Sequence, residues 1–229
     1  MINSNTIREI TLDLGADLCG IASIERFSDS PKGFHPLDIY DQCKSVIVFL
    51  KRIPTETIHA SNLLPYTHTT HILFDELDRV GLNLCNMLED KGIKAIPVPC
   101  DTPYQYWDAD SLHGMGLLSM RHAAYLAGLG ILGKNTLLIN KKYGNAVYIG
   151  AVLSNAELES DPIATELLCP PDCSICLDSC PQQALDGTTV KQALCRPYSS
   201  DKIGRGFDIY CCNTCRQACP MSASIANNL

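Results

Sequence analysis

The chain has 229 residues, 46% hydrophobic and 19% charged, with a formal net charge of −7. This is the composition of an ordinary globular protein, long enough for one large core or two small ones. The acid excess argues against tight nucleic-acid binding through phosphate neutralisation, and no apolar run approaches the roughly 20 residues that span a bilayer.

The first residues, "MINSNTIREITLDLGADLCGIA", lack a basic start with an apolar block and carry no twin-arginine signal, so a cytoplasmic location and no membrane partner are expected. Ile7, Ile10 and Leu14 predict a helix over residues 4–17, with Ser4 or Asn5 as its cap. "DLCGIAS" and "KSVIVFL" predict strands, the second apolar throughout as a buried strand is. Leu73, Leu77, Val80, Leu84 and Leu88 predict a long helix over residues 68–91, stopped at Gly92. "IKAIPVP", "TLLIN" and "AVYIGAVLS" read as strands, and "LSMRHAAYLAGLG" as a helix up to its glycines. The expected fold class is α+β, with a sheet domain over residues 1–164. Beyond it large aliphatics thin out, and residues 165–229 read as a second module whose core is something other than side chains.

"AGLGILGKN" contains G-x-G-x-x-G and falls one residue short of a phosphate loop. Both motifs need a strand before the glycines and a helix after them. Here the order is helix, glycines, strand. The glycines read as a helix C-cap with a tight turn, or as bare backbone lying close to a bulky cofactor.

Nine of the 13 cysteines fall between Cys169 and Cys219. In a reducing compartment such crowding points to metal before disulfides. Cys173, Cys176, Cys180, Pro181 and then Cys212, Cys215, Cys219, Pro220 each spell C-x-x-C-x-x-x-C-P, the tail of the run used by two-cluster ferredoxins. There the cysteine before proline ligates the other cluster. The spacing therefore predicts one [4Fe–4S] cluster on Cys169, Cys173, Cys176 and Cys219, and a second on Cys180, Cys195, Cys212 and Cys215. Cys169 lies four residues before Cys173 where three is usual, and the two prolines between would loop the extra residue out. The competing reading is a zinc site on Cys173, Cys176, Cys212 and Cys215. Cys211 is left over, and Cys19, Cys43, Cys85 and Cys100 read as small buried hydrophobes.

From about residue 121 to 220, "AGLGILGKNTLLIN", the first cysteine run, "LCRPY" and "YCCNTCRQACP" together resemble the epoxyqueuosine reductase family, relatives of the corrinoid-dependent reductive dehalogenases. The resemblance implies a nitroreductase-like domain that binds cobalamin, fused to a ferredoxin-like module with two [4Fe–4S] clusters. It makes Lys134, Asn135, Thr136, Leu137 and Leu138 candidates to face the corrinoid. The family's proton donor is an Asp in a V-D-x-x-P segment, and no such segment occurs here; counting back without gaps from the glycine turn reaches Gly114. Asp108, Asp110, His113 and His122 are nearby, and Asp110 and His113 are taken as candidate catalytic residues, an imidazole being able to deliver a proton near neutral pH.

The expected function is an iron–sulfur oxidoreductase that passes low-potential electrons through two clusters to a corrinoid, for a substrate left unidentified. Its expected partners are a donor such as ferredoxin or flavodoxin, the corrinoid, and a small-molecule substrate or a corrinoid protein. The alternative is an electron-transfer protein or corrinoid reductase serving a partner. Epoxyqueuosine reduction in tRNA ranks last, and tRNA is not expected as a partner. The grounds are the negative charge, the missing V-D-x-x-P and the little chain left before Leu229 for an RNA-binding segment.

Overall fold

The computed structural model describes residues 3–222. It opens on helix α1 (Ser4–Asp13), whose cap is Asn3 and not Ser4 or Asn5: the Asn3 Oδ1 accepts from the Thr6 backbone N–H at 2.9 Å. Strand β1 (Leu18–Ser23), helix α2 (Pro36–Ile39), strand β2 (Ser45–Arg52), helices α3 (Thr55–His59) and α4 (Leu64–Glu89), and strand β3 (Ala95–Val98) follow. A hairpin of β4 (Tyr106–Asp108) and β5 (His113–Met115) precedes helix α5 (Met120–Leu126). Two short strands, β6 (Ile131–Leu132) and β7 (Leu138–Ile139), lead to β8 (Val147–Ser154). The cysteine-rich remainder holds helices α6 (Ile175–Asp178) and α7 (Gln192–Ser199), a hairpin of β9 (Ser200–Ile203) and β10 (Phe207–Tyr210), and helix α8 (Thr214–Gln217).

The central sheet has the order β1-β2-β8-β3 and every pairing is antiparallel, with Leu18 opposite Leu50 and Val48 opposite Ala151. Strand β2 explains the apolar run "SVIVFL". Successive side chains point to opposite faces of a strand, and here both faces are covered. Val46, Val48 and Leu50 meet Ala123, Ala124 and Ala127 in and just after α5. Ile47 and Phe49 meet Ile7 of α1 and Leu77, Val80, Leu84 and Leu88 of α4. Those four α4 residues lie on the face whose spacing marked the helix in the sequence. The molecule is thus a mixed helix-and-sheet fold with helices on both sides of one antiparallel sheet.

"TLLIN" forms a strand only over Leu138–Ile139, because Thr136 takes a left-handed φ of 62° that breaks the extended run. Beyond Leu158 the buried hydrophobic residues among those described are Cys176, Ala184 and Cys219. This stretch is tied down instead by polar contacts. Asn213 Nδ2 donates to Ile58 O at 2.9 Å, and the Tyr210 N–H to Thr67 Oγ1 at 2.9 Å. Among the described residues, no helix is long and apolar enough to cross a membrane.

Candidate functional site

The two C-x-x-C-x-x-x-C-P runs fold alike. Each places its middle cysteine on a one-turn helix, Cys176 on α6 and Cys215 on α8, and these helices pack against each other. Each last cysteine follows its helix just before a proline, which cannot continue it. The Cys176 thiol is raised above its ordinary pKa by burial first, then by the proximity of Cys219, Cys169 and Cys173. Those four thiols surround a cavity of about 320 Å³, which Lys134 and Leu168 also line. Cys215 is pushed up to about 11 by burial; Arg216 opposes this, and Cys195, Cys212 and Cys180 add to it. The structure therefore gathers Cys169, Cys173, Cys176 and Cys219 in one place, and Cys180, Cys195, Cys212 and Cys215 in another.

The extra residue after Cys169 is taken up by a turn in which the Cys173 N–H donates to Pro170 O at 3.1 Å. The pairing that zinc would need sets Cys173 and Cys176 beside Cys212 and Cys215, whereas the cysteines that influence Cys176 are Cys219, Cys169 and Cys173 and those that influence Cys215 are Cys195, Cys212 and Cys180. Among the described residues, no three His, Cys, Asp or Glu side chains are arranged to hold a single metal ion. Cys43 and Cys85 are core residues with Cys19 and Cys100 packed against the second core cluster, and burial pushes Cys43 up to about 11 and Cys85 to about 12. Cys211 is exposed.

The glycine turn caps α5. The Gly128 N–H donates to Tyr125 O at 3.0 Å, with φ at +73°. A Cβ on Gly128 would stand 2.1 Å from Pro162 O, and one on Gly130 would stand 2.3 Å from Ile139 O. The chain's own backbone fills the space these glycines leave, which favours the cap reading over close approach of a cofactor. Of the five candidates to face a corrinoid, two are buried. Leu138 is 2% exposed and part of the core. Asn135, also 2% exposed, is a strut whose Nδ2 donates to Cys215 O at 3.0 Å while its Oδ1 accepts from the Leu137 N–H. Lys134 Nζ donates to Pro171 O at 2.5 Å and Cys173 O at 2.7 Å, beside the first cysteine group. Thr136 accepts from Arg121 Nη1 through both its oxygens, and Leu137 is half-buried.

Asp110 sits exposed at the tip of the β4–β5 hairpin, its N–H donating to Asp108 Oδ1 at 3.0 Å. His113 is half-buried opposite Asp108, with its ring 6.2 Å from that of Tyr106. His122 accepts from or donates to Ser119 Oγ at 2.6 Å, and burial, then Arg121, draws its pKa down. Gly114 is closely packed: a Cβ would stand 3.0 Å from both Arg196 Nη2 and Trp107. Gln192 fixes this strand, accepting from the Gly114 N–H at 2.9 Å and donating to its carbonyl at 3.0 Å. The Arg196 guanidinium lies over Tyr104 and Trp107, at 5.3 and 5.0 Å from their ring centres.

Sequence reasoning missed Asp101, whose carboxyl is lifted by burial first and then drawn down by Arg196 and His71. The available signal was "CDTP" after β3, an Asp two residues before a proline where the family segment has one three residues before. It also missed Arg216, for which a lone arginine between cysteines gives no sequence signal.

No protein-family model matches the sequence. Among curated proteins, an epoxyqueuosine reductase of Staphylococcus aureus is 34% identical over 126 residues, covering 50% of this chain and 32% of that protein. One from Leadbetterella byssophila is 25% identical over 255 residues, covering 96% and 80%. The chain thus spans about a third of the length of the first of these relatives. Among solved structures, the epoxyqueuosine reductase of Streptococcus thermophilus superposes with a TM-score of 0.67 at 21% identity, over 96% of this chain and 66% of that one. An epoxyqueuosine reductase with a modified tRNA-Tyr stem loop gives 0.64 at 18% identity, over 95% and 64%. A B12-dependent reductive dehalogenase gives 0.55 at 20% identity, over 79% and 25%.

These likenesses correct two expectations. An unidentified substrate, or service as an electron-transfer protein, ranked ahead of epoxyqueuosine reduction, yet the named relatives are epoxyqueuosine reductases. tRNA was not expected as a partner, yet one neighbour holds a tRNA stem loop. The charge argument does not decide the matter, because −7 is a sum over the whole chain, whereas a stem loop needs only a local surface. In sequence and in fold, the chain is similar to epoxyqueuosine reductases.

Proposed function

We propose that this chain reduces the epoxide of epoxyqueuosine in tRNA, two electrons and two protons removing the epoxide oxygen as water. The observation that carries the reading is the crossed gathering of eight thiols, within a fold that superposes on epoxyqueuosine reductases over nearly the whole chain. The division into a nitroreductase-like module over residues 1–164 and a ferredoxin-like module over residues 165–229 belongs to the same proposal. Its support is that the two large core clusters end at Leu158.

The donor set fits two [4Fe–4S] clusters. Thiolates are the ligands such clusters take, and grouped buried thiols disfavour ionisation until a cation joins them. Cys169, Cys173, Cys176 and Cys219 would hold one cluster, around the cavity they line; Cys180, Cys195, Cys212 and Cys215 would hold the other. For a corrinoid, the side chain left free among the five candidates at the glycine turn is Leu137, Thr136 being held by Arg121. When bound, the clusters supply single low-potential electrons and the corrinoid a strongly reducing cobalt.

The chain's own residues have separate tasks. Lys134 and Asn135 tie the glycine turn to the carbonyls of Cys173 and Cys215, fixing the cysteine groups against the sheet domain. Arg121 holds Thr136 in its left-handed conformation by donating to both its oxygens. Gln192 and Arg196 fix the β4–β5 hairpin. Protons come from the acids beside that hairpin: His113 on β5, or Asp101, which burial inclines towards the protonated form a general acid needs.

The test is direct. Protein reconstituted without oxygen to about eight iron atoms per chain is supplied with cobalamin, a chemical reductant and a stem loop carrying epoxyqueuosine. Nucleoside mass spectrometry should show the loss of one oxygen. Fully loaded protein that leaves the stem loop unchanged overturns the reading.

A further inference from the structure

Among the described residues, the four exposed aromatic side chains are Tyr106, Trp107, Tyr198 and Phe207, between 46% and 64% exposed. They are not scattered. Tyr106 and Trp107 are on β4, Tyr198 is on α7 and Phe207 opens β10. Helix α7 packs against both hairpins, through β5 and through β9. Trp107 is held in place without being covered. It lies opposite Gly114, stacks on Tyr104 with ring centres 5.7 Å apart and planes 14° from parallel, and has the Arg196 guanidinium 5.0 Å from its own ring centre. Arg196 is itself fixed, its Nε donating to Gln192 Oε1 at 2.8 Å. A ring already ordered gives up little freedom when a further planar group stacks on it.

Charge on this surface runs against the rest of the chain. Residues 191–210 carry Lys191, Arg196, Lys202 and Arg205 against Asp201 and Asp208, in a chain whose net charge is −7. Lys202 pairs with Asp208 at 3.6 Å, but both side chains are 70% exposed, so the pair is weak and the lysine stays available. Arg205 stands at the tip of the β9–β10 hairpin between Gly204 and Gly206, and no other part of the chain comes within 4 Å of a Cβ placed on either glycine. Open rings beside cations match an unpaired nucleotide, whose base offers a flat π-face and whose phosphate takes the charge.

Resting on the reading that the chain acts on tRNA, we propose that α7 and the two hairpins seat the single-stranded loop of that RNA, an unpaired base stacking on Trp107 and backbone phosphates meeting Lys202 and Arg205. The place fits the chemistry. Helix α7 carries Cys195 between Gln192 and Arg196, and the candidate acid His113 is on β5, so a loop held there lies beside both. Asp108 and Asp110 of the β4–β5 hairpin and Asp201 on β9 repel phosphate, so stacking rather than net charge carries most of the affinity.

The experiment measures binding of the iron-loaded protein, without reductant, to the epoxyqueuosine stem loop on filters at several salt concentrations. Trp107→Ala should weaken binding about tenfold or more, as the loss of a stacked base does, and Trp107→Phe should recover most of it. A stem loop made abasic throughout its loop should bind wild type and Trp107→Ala alike. Arg205→Gln, at a tip on which nothing packs, should lower the slope of log affinity against log salt by about 0.7. Unchanged affinity in Trp107→Ala, or an unchanged slope in Arg205→Gln, overturns the proposal. So does unchanged RNA binding combined with slower reduction by an acidic electron-donor protein, which would make the surface that protein's dock. If Trp107→Ala fails to hold iron, Arg205→Gln and the abasic loop decide the matter. A wild type that neither binds nor turns over the stem loop defeats the tRNA reading itself, whereas a wild type that turns it over while both variants bind it normally defeats only this surface.

Discussion

Asp101 sits half-buried just beyond β3, and its ionisation is set by four influences. Burial lifts the carboxyl above its usual range; the Arg196 guanidinium, then His71, draw it down, and Asp78 pushes it up again. The Tyr210 phenol also feels its charge. A general acid works only while protonated, so activity that depends on Asp101 falls as pH rises through its pKa. Removing the largest lowering influence, in Arg196→Gln, raises that pKa further, and the alkaline limb of the pH–rate profile should move to higher pH. Asp101→Asn should lose about 10²–10⁴-fold in turnover of the epoxyqueuosine stem loop. If Asp101→Asn turns over normally and His113→Gln does not, the imidazole is the donor.

At the scale of elements, the turn after α5 shows what local pattern reveals and what it leaves out. Its left-handed Gly128 abuts the Pro162 carbonyl, so Gly128→Ala adds a disfavoured backbone conformation and a clash with backbone that has little freedom to move. The expected loss is about 2–4 kcal/mol, read as a lower urea midpoint with an unchanged slope; a loss below about 0.5 kcal/mol would mean the turn can re-form around a side chain. Helix α4 and strand β2 were legible because their patterns repeat over many residues and both pack on one sheet. The crossed cysteine groups were legible as an expectation because chemistry fixes the C-P spacing. The hairpins β4–β5 and β9–β10 were not, since strands of three or four residues show no periodicity. The burial of Asn135 and Leu138 was not legible, since it depends on what packs around the turn and the short strand after it. Arg216 was invisible for the same reason: its burial comes from Asn145 and Tyr148, some 70 residues earlier in the chain.

On the scale of the whole molecule, two kinds of cohesion meet. The sheet and its helices are held by the burial of aliphatic side chains on both faces. Residues 165–222 bury few such side chains and are joined to the rest by struts such as Asn145 N–H to Met221 O at 2.7 Å and Asn213 Nδ2 to Ile58 O. Individual hydrogen bonds contribute about 1 kcal/mol net, too little to order more than fifty residues against their conformational entropy. If thiolate–iron bonds supply the remainder, stability is split unevenly along the chain. Stripping the iron with a chelator should then leave the sheet domain cooperatively folded while the cysteine-rich part loosens. Limited proteolysis of the iron-free protein should cut first between residues 165 and 222 and leave a resistant fragment ending near Leu158, whereas the loaded protein should resist at those sites. Equal cleavage patterns with and without iron would mean that the polar struts alone hold the C-terminal part in place, and that its few buried side chains suffice as a core.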